Sequence, residues 1–173
     1  MTVRLLRHPP VARAWAGRCY GVSDMGWSRE GRAMARSLAA AVRADRVVHS
    51  GLERTRRLAE MLCPSPIEDV RWRERDFGAW EGRRWDAIWR ESGNAMDGLM
   101  TDPDGFRPGG GETGAMLAGR VRAAWDALPD ADHVLVIAHG GSIATLRCLL
   151  AGAPLTEAVR FIPACGEMVE LAR

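Results

Sequence analysis

Lysine is absent from the 173 residues, so all 24 basic side chains are arginine. With arginine that frequent, an Arg next to a His carries little information by itself. The arginines are interleaved with 22 acidic residues and the net charge is only +2, which removes the electrostatic case for a nucleic-acid partner. Runs such as Arg54-Thr55-Arg56-Arg57 and Arg71-Trp72-Arg73 read as solvated faces rather than a polyanion groove. Cysteine is scarce: Cys19, Cys63, Cys148 and Cys165 are far apart and form no Cys-x-x-Cys pair, which argues against a disulfide framework in a chain able to build a core. No set of His, Cys and carboxylate residues has metal-ligand spacing, so neither a metal nor a cofactor is expected. Long apolar runs are missing too. Val134 to Ala138 is far shorter than the ~20 residues a membrane helix requires. Met1 leads straight into Val3-Arg4-Leu5-Leu6 without a charged lead into an apolar export segment, which predicts a cytoplasmic protein with no membrane partner.

What is present is ordinary for a globular chain: 47% apolar and 27% charged residues, enough for one domain spanning 1–173 to bury a sizeable core. Val3 to Arg7 reads as a strand, followed by a turn-rich loop from Pro9 through Trp27. Ser28 caps a helix running to about Arg43, with Met34, Leu38, Ala41 and Val42 on one face. Arg46 to Ser50 is a second strand. Glu53 to Leu62 is a second helix, with Leu58, Met61 and Leu62 inward. A strand near Ile67 to Trp72, a helix at Arg84 to Glu91 and a Gly/Pro/Asp loop from Asp102 to Glu112 follow. Thr113 caps a helix whose stripe is Leu117, Val121, Ala124 and Leu128. Val134 to Ala138 has the uninterrupted β-branched character of a strand covered on both faces. A helix from Ser142 to Ala151 and a strand near Met168 to Leu171 end the chain. This alternation predicts an α/β three-layer sandwich with a mainly parallel central sheet.

In such sheets ligands bind beyond the carboxyl ends of the strands. The first strand ends in Arg7-His8, and the second ends in Ser50 with Arg54 one helical turn later. The buried strand ends in His139-Gly140-Gly141-Ser142 at a helix start. Two histidines and two arginines thus converge on one edge. That set suits a phosphoryl group: neutral imidazole is a nucleophile toward phosphorus, guanidinium forks match phosphate oxygens, and a helix start adds oriented amides. Nearby arginines also disfavour imidazolium and keep His8 nucleophilic. His49 and His133 have no comparable placement.

The same residues resemble the motifs of the histidine phosphatase superfamily, also called phosphoglycerate mutase-like. Leu5-Leu6-Arg7-His8 is similar to its opening Arg-His motif, and Ser50-Gly51-Leu52-Glu53-Arg54 to its Ser-x-Leu-x-Arg element. Glu74-Arg75-Asp76-Phe77-Gly78-Ala79-Trp80-Glu81-Gly82 resembles its Glu-x-x-Phe-Gly-x-Trp-Glu-Gly block. Pro108-Gly109-Gly110-Gly111-Glu112-Thr113 resembles its Pro-Gly-Gly-Glu-Ser loop, and His139-Gly140-Gly141 its second histidine motif. The matches occur in order over nearly the whole chain. The resemblance implies His8 as phosphohistidine nucleophile, a phosphate pocket of Arg7, Arg54, His139 and Gly140, and Glu74 as the acid and later base. Two departures stand out. Pro9-Pro10 follows His8 where Gly and then Glu or Gln are usual, and Gly51 stands where Pro is usual.

Only about sixty residues separate Glu74 from His139, too few for the extra segments with which mutases of this family shield the phosphoenzyme. Hydrolysis of a small phosphorylated metabolite is therefore expected ahead of phosphoglycerate mutase-like transfer. The segment Gly17-Arg18-Cys19-Tyr20-Gly21-Val22-Ser23-Asp24 resembles α-ribazole phosphatase-type proteins of cobalamin nucleotide-loop assembly. Trp80, Trp85 and Trp89 are expected in a core or rim role. Two other classes remain open at this point: a non-catalytic phospho-ligand binding module, and a regulatory subunit using an apolar surface. A homodimer is compatible with the fold.

Overall fold

The computed structural model describes residues 1–173. Five strands, β1 (Thr2–Arg7), β2 (Arg46–His49), β3 (Ile67–Glu68), β4 (His133–Ala138) and β5 (Met168–Ala172), form one sheet in the order β3-β2-β4-β1-β5. All neighbours run parallel except β5, which pairs antiparallel with β1 at one edge. The helices are α1 (Arg29–Ala41), α2 (Glu53–Leu62), α3 (Trp85–Ser92), the short α4 (Gly98–Thr101), α5 (Gly114–Asp126) and α6 (Gly140–Leu150).

Alternation along the buried strands sorts side chains into two cores. Val3, Leu5, Val134, Val136 and Ala138 point to the face covered by α5 and α6, where they meet Leu117, Val121, Ile143 and Leu146. Leu6, Leu135 and Ile137 point to the face covered by α1 and α2, where Ala35, Leu58 and Ala59 close the layer. The expected three-layer α/β arrangement is the one observed.

The helix starts follow from local chemistry. Ser28 Oγ accepts a hydrogen bond from Gly31 N at 3.0 Å, and Thr113 Oγ1 accepts one from Met116 N at 3.1 Å. Each satisfies an amide that the first helical turn leaves without a partner. Helix α2 begins instead under Asp24, whose Oδ1 accepts from Glu53 N at 2.7 Å.

Some expectations shift. Ala41 is exposed, and the buried face of α1 is carried by Gly31 and Ala35. Met61 is 45% exposed, so α2 packs through Leu58 and Ala59. Only two residues of the third predicted strand pair with β2. The rest, Val70–Trp72, tightens into a 3₁₀ turn that drives Trp72 fully into the core. The helix expected from Ser142 starts at Gly140, directly at the end of β4.

Replacing Ser28 with Ala removes a cap with a single identified partner. The variant is expected to lose about 1 kcal/mol of unfolding free energy, measured by urea denaturation at unchanged slope.

Candidate functional site

The three central strands β2, β4 and β1 end side by side, and their successors Ser50, His139 and His8 line the carboxyl edge of the sheet in that order. The β1–β4 ladder runs one step beyond the strands, because His8 N donates to Ala138 O at 3.0 Å. This register sets the two imidazoles next to each other, with ring centroids 5.1 Å apart and planes inclined by 59°. Both rings are buried.

Their hydrogen bonds assign their protons. His8 Nδ1 lies 2.8 Å from the Pro9 carbonyl oxygen, which can only accept, so Nδ1 carries the hydrogen and Nε2 keeps its lone pair. Arg54 Nε, which can only donate, lies 3.2 Å from His139 Nδ1, so that nitrogen accepts. His139 Nε2–H then donates to Ser50 Oγ at 2.7 Å. Ser50 passes its hydrogen to Thr55 Oγ1 at 2.8 Å, and Thr55 donates to Leu52 O at 2.9 Å. The chain of donors has one direction throughout.

Charge agrees with this assignment. Burial, then the Arg54 guanidinium and Arg7, pull the His8 pKa down to about 3, against the opposing bond to Pro9. Burial, Arg54 and His8 hold His139 well below its ordinary value. Arg54 is fully buried against the His139 ring. It donates through Nη1 to Ser23 O at 2.7 Å and through Nη2 to Gly21 O, and its guanidinium lies 5.6 Å from the centre of the Tyr20 ring.

Arg7 sits on the other side of His8. Its Nη1 donates to Pro163 O at 2.7 Å, while its buried Nε has no partner in the protein. Gly140 makes this placement feasible, since a Cβ there would lie 3.1 Å from the Arg7 guanidinium carbon. Gly141 does the same for Glu74. The Glu74 carboxylate accepts from Gly141 N at 2.8 Å and from Arg75 N at 2.9 Å, and a Cβ on Gly141 would approach Glu74 Oε1 to 2.2 Å. The two glycines at the start of α6 thus leave room for a cation and a carboxylate on either side of a helix terminus whose dipole favours anions. No group of three or more His, Cys, Asp or Glu side chains converges in a metal-holding arrangement.

From Arg7, Glu74 and Gly141 a cavity of about 340 Å³ extends outward between Phe77, Trp85, Leu99, Met100, Leu155, Val159 and Ile162. Its second arginine, Arg75, gives Nε to Glu112 O at 2.8 Å and Nη2 to Phe106 O at 3.1 Å. Trp85 forms edge contacts with Phe77 and Trp80 on the cavity wall, Trp80 is buried, and Trp89 is 50% exposed. His133 is exposed at the far end of β4, and His49 serves the turn after β2 by accepting from Gly51 N at 3.0 Å.

The sequence carries the pattern that defines the Histidine phosphatase superfamily (branch 1) across residues 3–172. The chain belongs to this superfamily. Among curated proteins, a probable phosphoglycerate mutase GpmB of Erwinia tasmaniensis is 30% identical over 164 residues, which cover 89% of this chain and 76% of that protein. The solved structure of a mycobacterial glucosyl-3-phosphoglycerate phosphatase superposes with a TM-score of 0.86 at 25% identity, covering 98% and 88% of the two chains. The α-ribazole phosphatase of Shigella flexneri shares the fold, with a TM-score of 0.82 at 21% identity over 98% and 89% of the chains. The chain is thus a histidine phosphatase in fold and in family.

Reading along the sequence alone does not single out Tyr20, Thr55 or the Pro163 carbonyl as parts of this histidine phosphatase site. Ser50 is the one with a local signal, because it directly follows a strand at the catalytic edge.

Two expectations follow from this geometry. His8 and His139 are neutral in the folded protein but titrate near 6.5 once unfolded, so the unfolded chain takes up protons first and stability falls as pH drops from 6.5 toward about 3. Melting temperatures across the upper part of that window, above the carboxylate range, should show the decline, and it should be shallower in His8→Asn. Equal slopes for the two proteins would contradict the neutral assignment. Gly141→Ala should push the Glu74 carboxylate aside and cut kcat about tenfold to a hundredfold with a smaller change in KM, read by steady-state kinetics.

Proposed function

We propose that this histidine phosphatase hydrolyses a small phosphomonoester, without a metal, through a phosphohistidine formed on His8. The observation that carries the proposal is the state of His8. Its Nδ1 hydrogen is committed to the Pro9 carbonyl, which leaves Nε2 as a lone pair on a ring that feels the charges of Arg54 and Arg7. Nε2 attacks phosphorus, forming the N–P bond as the P–O bond to the leaving group breaks. Glu74 in its acid form delivers a proton to the departing oxygen, which spares it from leaving as an alkoxide. Water then attacks the phosphohistidine, giving its proton to Glu74, and the N–P bond breaks to restore His8 and release phosphate. Arg7, Arg54 and the Gly140 amide at the start of α6 hold the phosphoryl oxygens, where charge on them is stabilised through both steps, and His139, both of whose ring nitrogens are already bonded, keeps Arg54 oriented beside them.

The cavity beside Glu74 supports the choice of leaving group. Its walls are mostly apolar and aromatic, and of its two arginines Arg75 already gives Nε and Nη2 to backbone carbonyls. The carboxylate of a phosphoglycerate would lose hydration there against mostly apolar walls. A leaving group with an uncharged, flat or apolar body suits it better. α-Ribazole 5′-phosphate is of that kind, and the resemblance of Gly17 to Asp24 to α-ribazole phosphatase-type proteins points the same way. The phosphoglycerate named for the GpmB relatives is the competing substrate.

The test is hydrolysis of p-nitrophenyl phosphate, α-ribazole 5′-phosphate and 3-phosphoglycerate in excess EDTA. Activity is expected to survive EDTA, to be blocked by vanadate, to vanish in His8→Ala, and to favour α-ribazole phosphate over phosphoglycerate in kcat/KM. Glu74→Gln should cost about a hundredfold or more on an alkyl phosphate but much less on p-nitrophenyl phosphate, whose leaving group needs little protonation. Phosphate return to a second position of a glycerate, rather than release to water, would make the protein a mutase.

A further inference from the structure

Glu81 lies outside the reaction just described, yet its carboxylate is among the most heavily bonded groups in the molecule. It accepts from Gly21 N at 2.9 Å, Val22 N at 3.1 Å, Ser23 N at 3.0 Å, Phe77 N at 3.2 Å and the Ser23 hydroxyl. No Arg side chain forms an ion pair with it. Three successive backbone amides therefore turn toward one anion, an arrangement otherwise typical of bound-anion nests.

The consequence lies on the opposite side of those peptides. In the unit joining Gly21 to Val22, the N–H end donates to Glu81 while the C=O end accepts from Arg54 Nη2. The Ser23 carbonyl takes Arg54 Nη1 at 2.7 Å. One peptide dipole is thus held between a carboxylate and a guanidinium, with each end on the charge it favours. Arg54 Nε in turn donates to His139 Nδ1. Gly21 is required for the loop to lie there, since a Cβ would come within 1.7 Å of Arg75 O.

We infer that Glu81 is a positioning residue: acting through the Gly21–Ser23 loop, it aims the Arg54 guanidinium and so fixes the proton arrangement of His139. The consequence for turnover rests on the hydrolase reading above, whereas the effect on His139 does not. Glu81→Gln keeps the shape but replaces one acceptor oxygen by an NH₂ group that faces backbone N–H donors. It disturbs the loop without touching any group that meets substrate.

The experiment is a double-mutant cycle of Glu81→Gln with Arg54→Lys, following p-nitrophenyl phosphate turnover, vanadate inhibition and the ¹⁵N spectrum of the histidines. Glu81→Gln is expected to lower kcat and vanadate affinity roughly tenfold each, and to shift the His139 Nδ1 resonance away from that of a hydrogen-bonded acceptor. In the Arg54→Lys background the same change should have almost no further effect, because coupled residues are not additive. Effects that multiply independently, or an unmoved Nδ1 resonance, would overturn the inference. If Glu81→Gln does not fold, Ser23→Ala removes a single donor from the same cluster, and the inference then requires a smaller loss of vanadate affinity that also disappears with Arg54→Lys. Absence of turnover in the unmodified protein would count against the hydrolase reading alone, since the ¹⁵N readout still decides the role of Glu81.

Discussion

A guanidinium buried without a carboxylate in contact is the constraint around which this site is built. Taking such a charge out of water is costly unless every donor finds an acceptor. Arg54 answers most of that demand with the carbonyls of Gly21 and Ser23, the Met25 sulfur and one imidazole nitrogen, which leaves one Nη2 hydrogen over. Because a guanidinium can only donate, its contact with His139 dictates which nitrogen of that ring is bare. The choice then passes through Ser50 and Thr55 to the Leu52 carbonyl. The proton arrangement of three side chains thus follows from one cation that cannot accept. The loop carrying the two carbonyls also supplies Asp24, which caps the helix bearing Arg54, so cation and acceptors are fastened to each other twice.

The electrostatic balance of the edge follows from the same burial. Arginine is present in place of any lysine, and it keeps its charge in surroundings where an ammonium readily loses a proton. The imidazoles respond in the opposite sense: desolvation and adjacent positive charge both favour their neutral forms. Two cations, two neutral rings and a helix start form a positive concavity that a phosphate dianion would neutralise. The carboxylate of Glu74 is kept at its border, on two backbone amides, rather than paired with an arginine.

Much of this was legible along the chain, and the reason differs by element. The central strands and capped helices announce themselves through periodicity and through single residues such as Ser28 and Thr113, because the determining contacts span only a few positions. The convergence of Arg7, His8, Arg54 and His139 follows from strand ends alone, since a parallel sheet gathers the residues after its strands on one edge. What could not be read locally depends on contacts across the sequence. The substrate-sized cavity is walled by the segments around Phe77, Leu99 and Leu155, which share no period. Met61 lies on the apolar side of an α2 pattern yet is left outside, while Leu58, Ala59 and part of Leu62 pack on the core beneath. Glu81 reads as one charge within a motif until the loop folded over it is seen.

The two departures from the family's motifs are opposite cases of one rule. At position 9 the site uses the backbone carbonyl, which accepts from His8 Nδ1, and proline offers a carbonyl as well as any residue does. Loss of the amide hydrogen there removes nothing the nucleophile needs. Pro10 likewise contributes its carbonyl, to Ser28 N at 3.0 Å. At position 51 the demand is reversed. Gly51 donates its N–H to His49 Nδ1 and sits at φ +86°, where proline has neither the hydrogen nor the permitted angle. A residue that breaks a motif is therefore judged by which backbone atom the fold draws on at that position. By that standard the Pro9 change leaves the proton arrangement of His8 intact, and the Gly51 change accompanies a turn that the usual proline could not make.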